Sequence, residues 1–453
     1  MATIVQTSPY ADIDRQKADG RGVLGTLFLC GWICVLLQGA LRKWVFPGVT
    51  ALYLIQDVPL IVAYGYAVLK GYIWAGKVMI GCMLVAILLS IETLTQLVVI
   101  DLNTRTALIG LHQYIFYFPI LFLMPMCLDS VQIRRFIRWN LLSILPMALI
   151  VAVQSRSGKG AWINRTAAGD ETAFSIAGST AIRATGTFNF TLGYSIWCGV
   201  AAALVVGEWI LPPERRSFKS RMLLVLCSIS VAIATMVSGS RTAVFLAAGA
   251  FFGGVVAAFL MWNTKLLLRF AGVVLLLPVL GGGAYLLAPD AFSGNLNRFS
   301  HENNQKEMGL RIAQMSVGFL IEPEFSVFGK GIGTGIQAAA VGTTDPYAVQ
   351  LSEWDNIRGV QELGTFGGIT IVLMRYVATM LVIATGIRAQ LQRPGFAYAL
   401  PIAFTVAPTL AIGDMWRTAP MVATQVFYFI ALICGAILFR KEAQYNALLN
   451  RAG

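Results

Sequence analysis

The chain is poor in charge and poorer in histidine. Only 12% of its 453 residues are charged and two are histidine, His112 and His301. Two histidines cannot assemble a His-rich metal centre, and the stretches read as outer loops hold no Asp-x-Asp pair to place a divalent cation on a diphosphate. No metal or other cofactor is therefore expected, and chemistry on an anion should be metal-independent. All seven cysteines fall within or at the ends of apolar runs, so neither disulfides nor a thiolate metal site are expected. The basic residues come in short clusters such as Arg134-Arg135-Arg138 and Arg215-Arg216-Lys219-Arg221. Clusters of that kind suit anionic lipid and exclude a nucleic-acid partner.

What the chain has in abundance is apolar surface. It is 57% hydrophobic, with a mean hydropathy of +0.71. A soluble core cannot absorb that much, and the fold class expected is all-α: a polytopic helix bundle in a lipid bilayer. Apolar runs near spanning length fall at 23–41, 49–69, 77–99, 107–127, 140–153, 189–210, 222–237, 242–262, 267–288, 363–386, 397–412 and 416–438, which predicts about twelve transmembrane helices. The organisation expected is a cytoplasmic tail over 1–22, helices 1–9 within 23–288, a large outer loop over 289–362, helices 10–12 within 363–438 and a cytoplasmic tail over 439–453.

The first run ends in Leu41-Arg-Lys-Trp44 without a small-residue cleavage signature, so it is expected to be retained as a span. With the N-terminus inside, about 19 of the 34 Lys and Arg lie on the inner face and about 14 outside; leaving out the long loop reduces the outer set to about 9. Both ends are expected to be cytoplasmic.

The connections are unequal. Residues 154–188 and 289–362 form two long outer segments, and long structured loops usually carry function. Within the second, Leu310–Ile321 is apolar except for a narrow stripe at Arg311, Gln314 and Gly318. That pattern predicts a helix packed on the bundle or lying in the interface. No tandem repeat is evident, which weighs against the repeat-built transporters.

Short translocated loops are normally poor in Lys and Arg, yet this chain places many there: Arg42 and Lys43, Arg105, Arg156, Lys159, Arg165, Arg183, Arg241, Arg298, Lys306, Arg311, Lys330, Arg358 and Arg417. The ordinary reading is that such side chains snorkel to head groups or pair with acids, as Arg417 can with Asp414. Arg183 and Arg241 stand apart. They sit in Arg183-Ala-Thr-Gly-Thr-Phe188 and Ser238-Gly-Ser-Arg241-Thr-Ala243, turns rich in Gly, Ser and Thr that run directly into a helix start. Backbone N–H groups there can join a guanidinium fork in holding phosphate oxygens.

Acids within apolar runs are the other signal. Asp57 precedes Pro59 in the second run, and Glu92 in the third has Gln96 one turn on; each needs a partner, for which Arg375 and Arg105 are the candidates. Near the end of the long loop, a helix through Glu353–Glu362 places Arg358 beside Asp355 at i−3 and Glu362 at i+4. Arg358 then reads either as a structural pair or as a glycan or phosphate contact, in company with Arg42 and Arg417. Glu353 has no such neighbour. A free carboxylate facing phosphate-binding arginines can serve as a general base if burial raises its pKa; otherwise it is a solvated acid.

These strings, with Arg311 followed by Phe328-Gly-Lys-Gly-Ile-Gly-Thr334 and then by Glu362-Leu-Gly364 and Gly367, resemble the O-antigen ligase and polymerase superfamily of bacterial envelope glycan assembly over about the second half of the chain. The resemblance implies a glycosyltransferase that moves a glycan from an undecaprenyl diphosphate carrier to an acceptor glycan without metal or nucleotide. It implies that Arg183, Arg241 and Arg311 hold the diphosphate, and it allows other polysaccharide-assembly proteins as partners. Ligase members carry a histidine about nine residues before Glu-Leu-Gly; this chain has Glu353 there, which favours a polymerase over a lipid A ligase and makes Glu353 the candidate base. Attack opposite the carrier inverts the anomeric carbon. Two rivals stand beside this reading: a flippase or exporter of the same lipid-linked glycan, which also needs arginines, and a non-catalytic assembly component, in which Glu353 and Arg241 are dispensable.

Overall fold

The computed structural model describes residues 9–72, 77–128, 130–167, 182–211, 217–300, 302–321, 326–336, 351–352, 354–392, 396–415 and 421–435. Among the described residues, each of the twelve apolar runs contains an α-helical stretch. Nine helices among the described residues are long and apolar enough to cross a membrane, and three shorter apolar ones, Asp57–Leu69, Ala399–Ile412 and Met421–Gly435, account for the second, eleventh and twelfth runs.

In chain order the helices are α1 (Pro9–Ala40), α2 (Asp57–Leu69), α3 (Lys77–Val99), α4 (Thr104–Ile115), α5 (Phe118–Cys127), α6 (Ser130–Arg156), α7 (Thr191–Ile210), α8 (Phe218–Val237), α9 (Arg241–Leu260) and α10 (Thr264–Leu287). Then follow α11 (Pro289–Ser300), α12 (Glu302–Val317), α13 (Asp355–Gln392), α14 (Ala399–Ile412) and α15 (Met421–Gly435). The fourth run is interrupted between α4 and α5 because Pro119, in the first turn of α5, lacks an N–H and disfavours helical geometry before it. Starts are fixed by side chains: Asn103, Ser217, Ser240 and Asn263 each accept a hydrogen bond from a backbone N–H of the first turn they precede.

The centre of the bundle is α7, buried along nearly its whole length against α9 and α14. Small residues let these backbones approach. A Cβ on Gly249 would come 2.7 Å from the Phe404 carbonyl and one on Gly253 2.6 Å from that of Leu400, so any larger residue forces α9 and α14 apart. The same contacts set direction: as α9 runs forward through 249 and 253, α14 runs back through 404 and 400. The C-terminal end of α14 therefore lies level with the start of α9. By contrast α3 and α10 turn rows of Leu, Ile and Val outward, the surface that a bilayer solvates.

The segment 289–362 is partly helical, as expected: it holds α11, α12 and the start of α13, and the helix expected from Leu310 is α12, which begins at Glu302 and is followed by a 3₁₀ turn at Gly318–Leu320. Gly318 is buried against Ile357 of α13. α13 begins at Asp355, earlier than the apolar run at 363, and is bent at Gly364, whose φ of 73° and ψ of −178° are open only to glycine.

Candidate functional site

The string Arg183–Phe188 becomes a loop clamped from three sides. Lys43, buried at the end of α1, donates from Nζ to Thr185 Oγ1 at 3.0 Å and to the Gly186 carbonyl at 2.6 Å. Gln154 near the end of α6 donates to that same carbonyl at 3.2 Å and accepts from the Gly186 N–H at 2.8 Å. Phe188 is fully buried, and α1 approaches so closely that a Cβ on Gly39 would lie 2.1 Å from the Thr187 carbonyl. The neighbouring loop docks alongside: Trp44 stacks on Trp162 and donates to the Ile163 carbonyl at 3.2 Å, while Asn164 donates to three carbonyls between 154 and 158. A loop held this firmly presents its side chains without paying ordering entropy on binding.

The second string is built as a helix start. Ser240 caps α9 by accepting from the Ala243 N–H, and its Oγ lies 2.8 Å from the Ser195 Oγ in the first turn and a half of α7. The pairing of 195 with 240 and of Gly199 with Leu246 makes α7 and α9 parallel, so two helix N-termini, each a positive dipole end, lie at the same level. Arg241 is the first residue of α9, and Arg183 lies on the loop that feeds α7.

These two arginines and Arg311 of α12 come together. Burial, and then the charges of Arg241 and Arg311, push the Arg183 guanidinium below its ordinary pKa. Like charges gathered at a partly buried position repel one another, and the arrangement gains when an anion enters. Arg183 also lines a small, partly open cleft, together with Lys43, Gln154, Asn164, Arg165, Thr166, Ile182, Thr185 and Asn189. The Nε of Arg183 is buried and has no hydrogen-bond partner among the described residues. A cleft lined by Lys43, Arg165 and Arg183 offers donors that suit a phosphate group.

A second group of charges lies at the same end of the bundle and is differently disposed. Arg358, 1% exposed, pairs with Asp355, lies 3.3 Å from Asp414 and has its Nε 3.8 Å from Glu362. Arg375 donates to the carbonyls of Leu410 and Gly413 at 2.9 and 2.6 Å and to Asn356 Oδ1 at 2.7 Å. Asp355 accepts from the Met415 N–H at 2.6 Å. The group ties the start of α13 to the end of α14. Glu362 is spent on the glycine-rich string: its carboxylate accepts from Tyr114 at 2.9 Å and from the N–H groups of Gly335 and Gly333 at 2.8 and 3.4 Å. The turns of that string, with Gly329, Gly331 and Gly333 all at positive φ, thus wrap an internal carboxylate. Gln96 closes the wrap by donating to the carbonyls of Phe328 and Glu362, both at 2.8 Å, and accepting from the Ile332 N–H.

Of the sequence candidates, Arg183, Arg241 and Arg311 are therefore brought together. Arg358 is not a surface contact: acids three positions back and four positions on, with Asp414, hold it inside. Arg42 lies 5.5 Å over the Tyr53 ring, and it is the adjacent Lys43 that lines the cleft. Glu353 and Arg417 lie outside the described residues, between Ser352 and Trp354 and just after Met415 respectively. The acids within apolar runs find other partners than Arg375 and Arg105. Asp57 pairs with His112 Nε2 at 3.1 Å and accepts from Tyr117 at 2.7 Å, whereas Arg375 takes Asp355 at 3.6 Å. Glu92 makes no ion pair among the described residues and lies beside Gly367.

Sequence reasoning missed Lys43, Asn164 and Asn189 as cleft residues. Lys43 carried a signal, since it sits beside Arg42 at the first outer turn, and a π-helical turn over Leu41–Val45 is what turns it inward. The two asparagines carried none. No protein-family model and no curated protein matches the sequence.

Proposed function

We propose that the chain is an integral-membrane glycosyltransferase that polymerises or transfers oligosaccharide repeats carried on undecaprenyl diphosphate, at the outer face of a bacterial inner membrane. The observation that carries the reading is that Arg183, which lines a cleft, feels the charges of Arg241 at the start of α9 and of Arg311 of α12. Arginine forks and helix N-termini both favour a dianionic or trianionic oxygen cluster, and a lipid diphosphate is such a cluster at the depth of a membrane mouth. The order of the glycine, arginine and Glu-Leu-Gly strings, similar to that of the O-antigen ligase and polymerase superfamily, supports the same assignment.

In this reading an acceptor hydroxyl attacks the anomeric carbon of the donor sugar. The new carbon–oxygen bond forms as the bond to the diphosphate breaks, and inversion follows from attack opposite the leaving group. The electron pair leaves with undecaprenyl diphosphate, whose growing charge the three arginines neutralise. The hydroxyl proton passes to a base, for which Glu353 is the proposed residue, in the segment that leads into α13. The acceptor is the glycan end of a second carrier in a polymerase.

The test supplies purified protein in detergent with an undecaprenyl-diphosphate-linked oligosaccharide and a chelator. Longer glycan and released undecaprenyl diphosphate are expected. If neither forms, and the protein instead moves the intact carrier across liposomes, the chain is a flippase. Glu353→Gln is expected to stop turnover while donor binding persists; undiminished turnover would remove Glu353 as the base.

A further inference from the structure

Three amide side chains line the cleft beside Arg183, and two are already engaged by the protein. Gln154 exchanges a pair of hydrogen bonds with Gly186 and donates to Ile163; the Nδ2 of Asn164 donates to the carbonyls of Gln154, Ser157 and Gly158. Asn189 differs. Its Nδ2 and Oδ1 are both buried, and neither has a partner among the described residues. A buried amide with both ends unmet is unfavourable, and such groups in a binding cleft call for a ligand.

The two ends ask for different things. Nδ2 donates and is satisfied by a phosphate oxygen, but Oδ1 only accepts, and an ionised diphosphate carries no donor. Whatever meets Oδ1 must bear an O–H or N–H. A sugar hydroxyl offers a donor and an acceptor in one group, and an acetamido substituent offers an N–H beside a carbonyl. Arg183, on the same clamped loop and lining the same cleft, has a buried unpartnered Nε. An anion-binding donor and an unmet amide on one rigid segment match a ligand in which a phosphate and a hydroxyl or acetamido group lie on neighbouring carbons.

We infer that Asn189 reads a hydroxyl or acetamido substituent on the sugar joined directly to the diphosphate, which makes this cleft the sugar-selecting subsite of the donor. The inference rests on the reading of the three arginines as a diphosphate site and adds to it the substrate's first sugar. The backbone at Asn189 is fixed by the close approach of α1, where a Cβ on Gly39 would lie 2.6 Å from its nitrogen, and by buried Phe188 before it. Selection by a fixed amide penalises a ligand that lacks the matching group more than it rewards one that has it.

The experiment titrates the full chain in detergent with three probes: undecaprenyl diphosphate, and the same carrier bearing a single N-acetylglucosamine or galactose. The wild type is expected to bind one sugar-bearing probe about tenfold more tightly than the bare carrier, the worth of one amide pairing. Asn189→Ala is expected to erase that preference by weakening the favoured sugar-bearing probe about tenfold more than the bare carrier, whereas Arg183→Ala weakens all three probes alike. A preference that survives Asn189→Ala, or a loss spread equally over all three probes, overturns the inference and leaves the arginine site standing. Failure of the wild type to bind even the bare carrier overturns the arginine reading itself. Should Asn189→Ala not fold, the wild type titrated with carriers whose sugar lacks one hydroxyl or the acetamido group decides: one deletion erases the preference, or none does and the inference falls.

Discussion

Arg358 and Arg375 are 1% and 4% exposed and lie among Asp355, Asp414 and Glu362, whereas Arg183 is partly buried with Arg241 and Arg311 as its electrostatic neighbours. Both groups sit at one end of the bundle and both use guanidinium forks. In the first, acids from α13 and the segment after α14 neutralise the charge internally, and the arginines serve to lock two helices. In the second, Arg241 and Arg311 come from separate elements and act on Arg183, which lines a cleft. Opposite charge makes the first pair fasteners, whereas the proposed receptor is an arginine whose guanidinium feels like charge.

The contrast breaks most visibly in stability. Arg358→Met strands Asp355 and Glu362 without their shared cation, and removing one partner of a buried pair costs about 3–5 kcal/mol. A large fall in the thermal unfolding midpoint in detergent is expected, while Arg183→Ala is expected to leave the midpoint unchanged or raise it by relieving repulsion. Equal losses in the two variants would erase the distinction between the groups.

Binding gives the converse. Arg183→Ala is expected to weaken undecaprenyl diphosphate binding on the order of a hundredfold, the loss of one charge-assisted pair, and Arg183→Lys on the order of tenfold, since the charge remains without the planar fork. Titration calorimetry reads both. A lysine variant indistinguishable from wild type would make the site a simple point charge.

Gly364→Ala sharpens the fastener side, because the bend at 364 is what lets α13 pass the glycine-rich string. A Cβ there would lie 2.1 Å from the Val327 carbonyl, and the backbone strain alone is worth about 1–3 kcal/mol. Its unfolding midpoint is expected to fall, though less than that of Arg358→Met. The smallest effect is that of salt. Raising ionic strength from about 0.05 to about 0.5 M shortens the Debye length and is expected to weaken carrier binding severalfold while hardly moving the midpoint, because a buried pair is screened much less.

The same comparison explains what could be read in the chain beforehand. Arg358 betrayed its partners through helical spacing, with Asp355 and Glu362 one turn away on either side, because local contacts follow from periodicity alone. The α-helical stretches among the described residues of the twelve apolar runs follow for a similar reason. Contacts between distant segments had no such signature. Asp57 was expected to meet Arg375 or Arg105, yet it meets His112 and Tyr117, since the α2 start packs on the α4–α5 break. Lys43 was overlooked beside Arg42 because a π-helical turn, invisible to a 3.6-residue pattern, sets which of the two faces inward. α12 begins eight residues before the apolar stretch that announced it, as its polar first turns follow from the chain's path and not from an apolar face. Arg183 and Arg241 were suspected from turn chemistry and a charge-topology rule and Arg311 from the family resemblance, but their electrostatic proximity is a property of the fold.

The most direct test of that proximity is a calorimetric titration of undecaprenyl diphosphate into the purified wild type and into a variant carrying Arg183→Gln, Arg241→Gln and Arg311→Gln, at matched thermal midpoints and low salt. Saturable binding to the wild type and none to the triple variant is the predicted result. Equal affinity in the two proteins would contradict it and would return the three arginines to the role of head-group anchors.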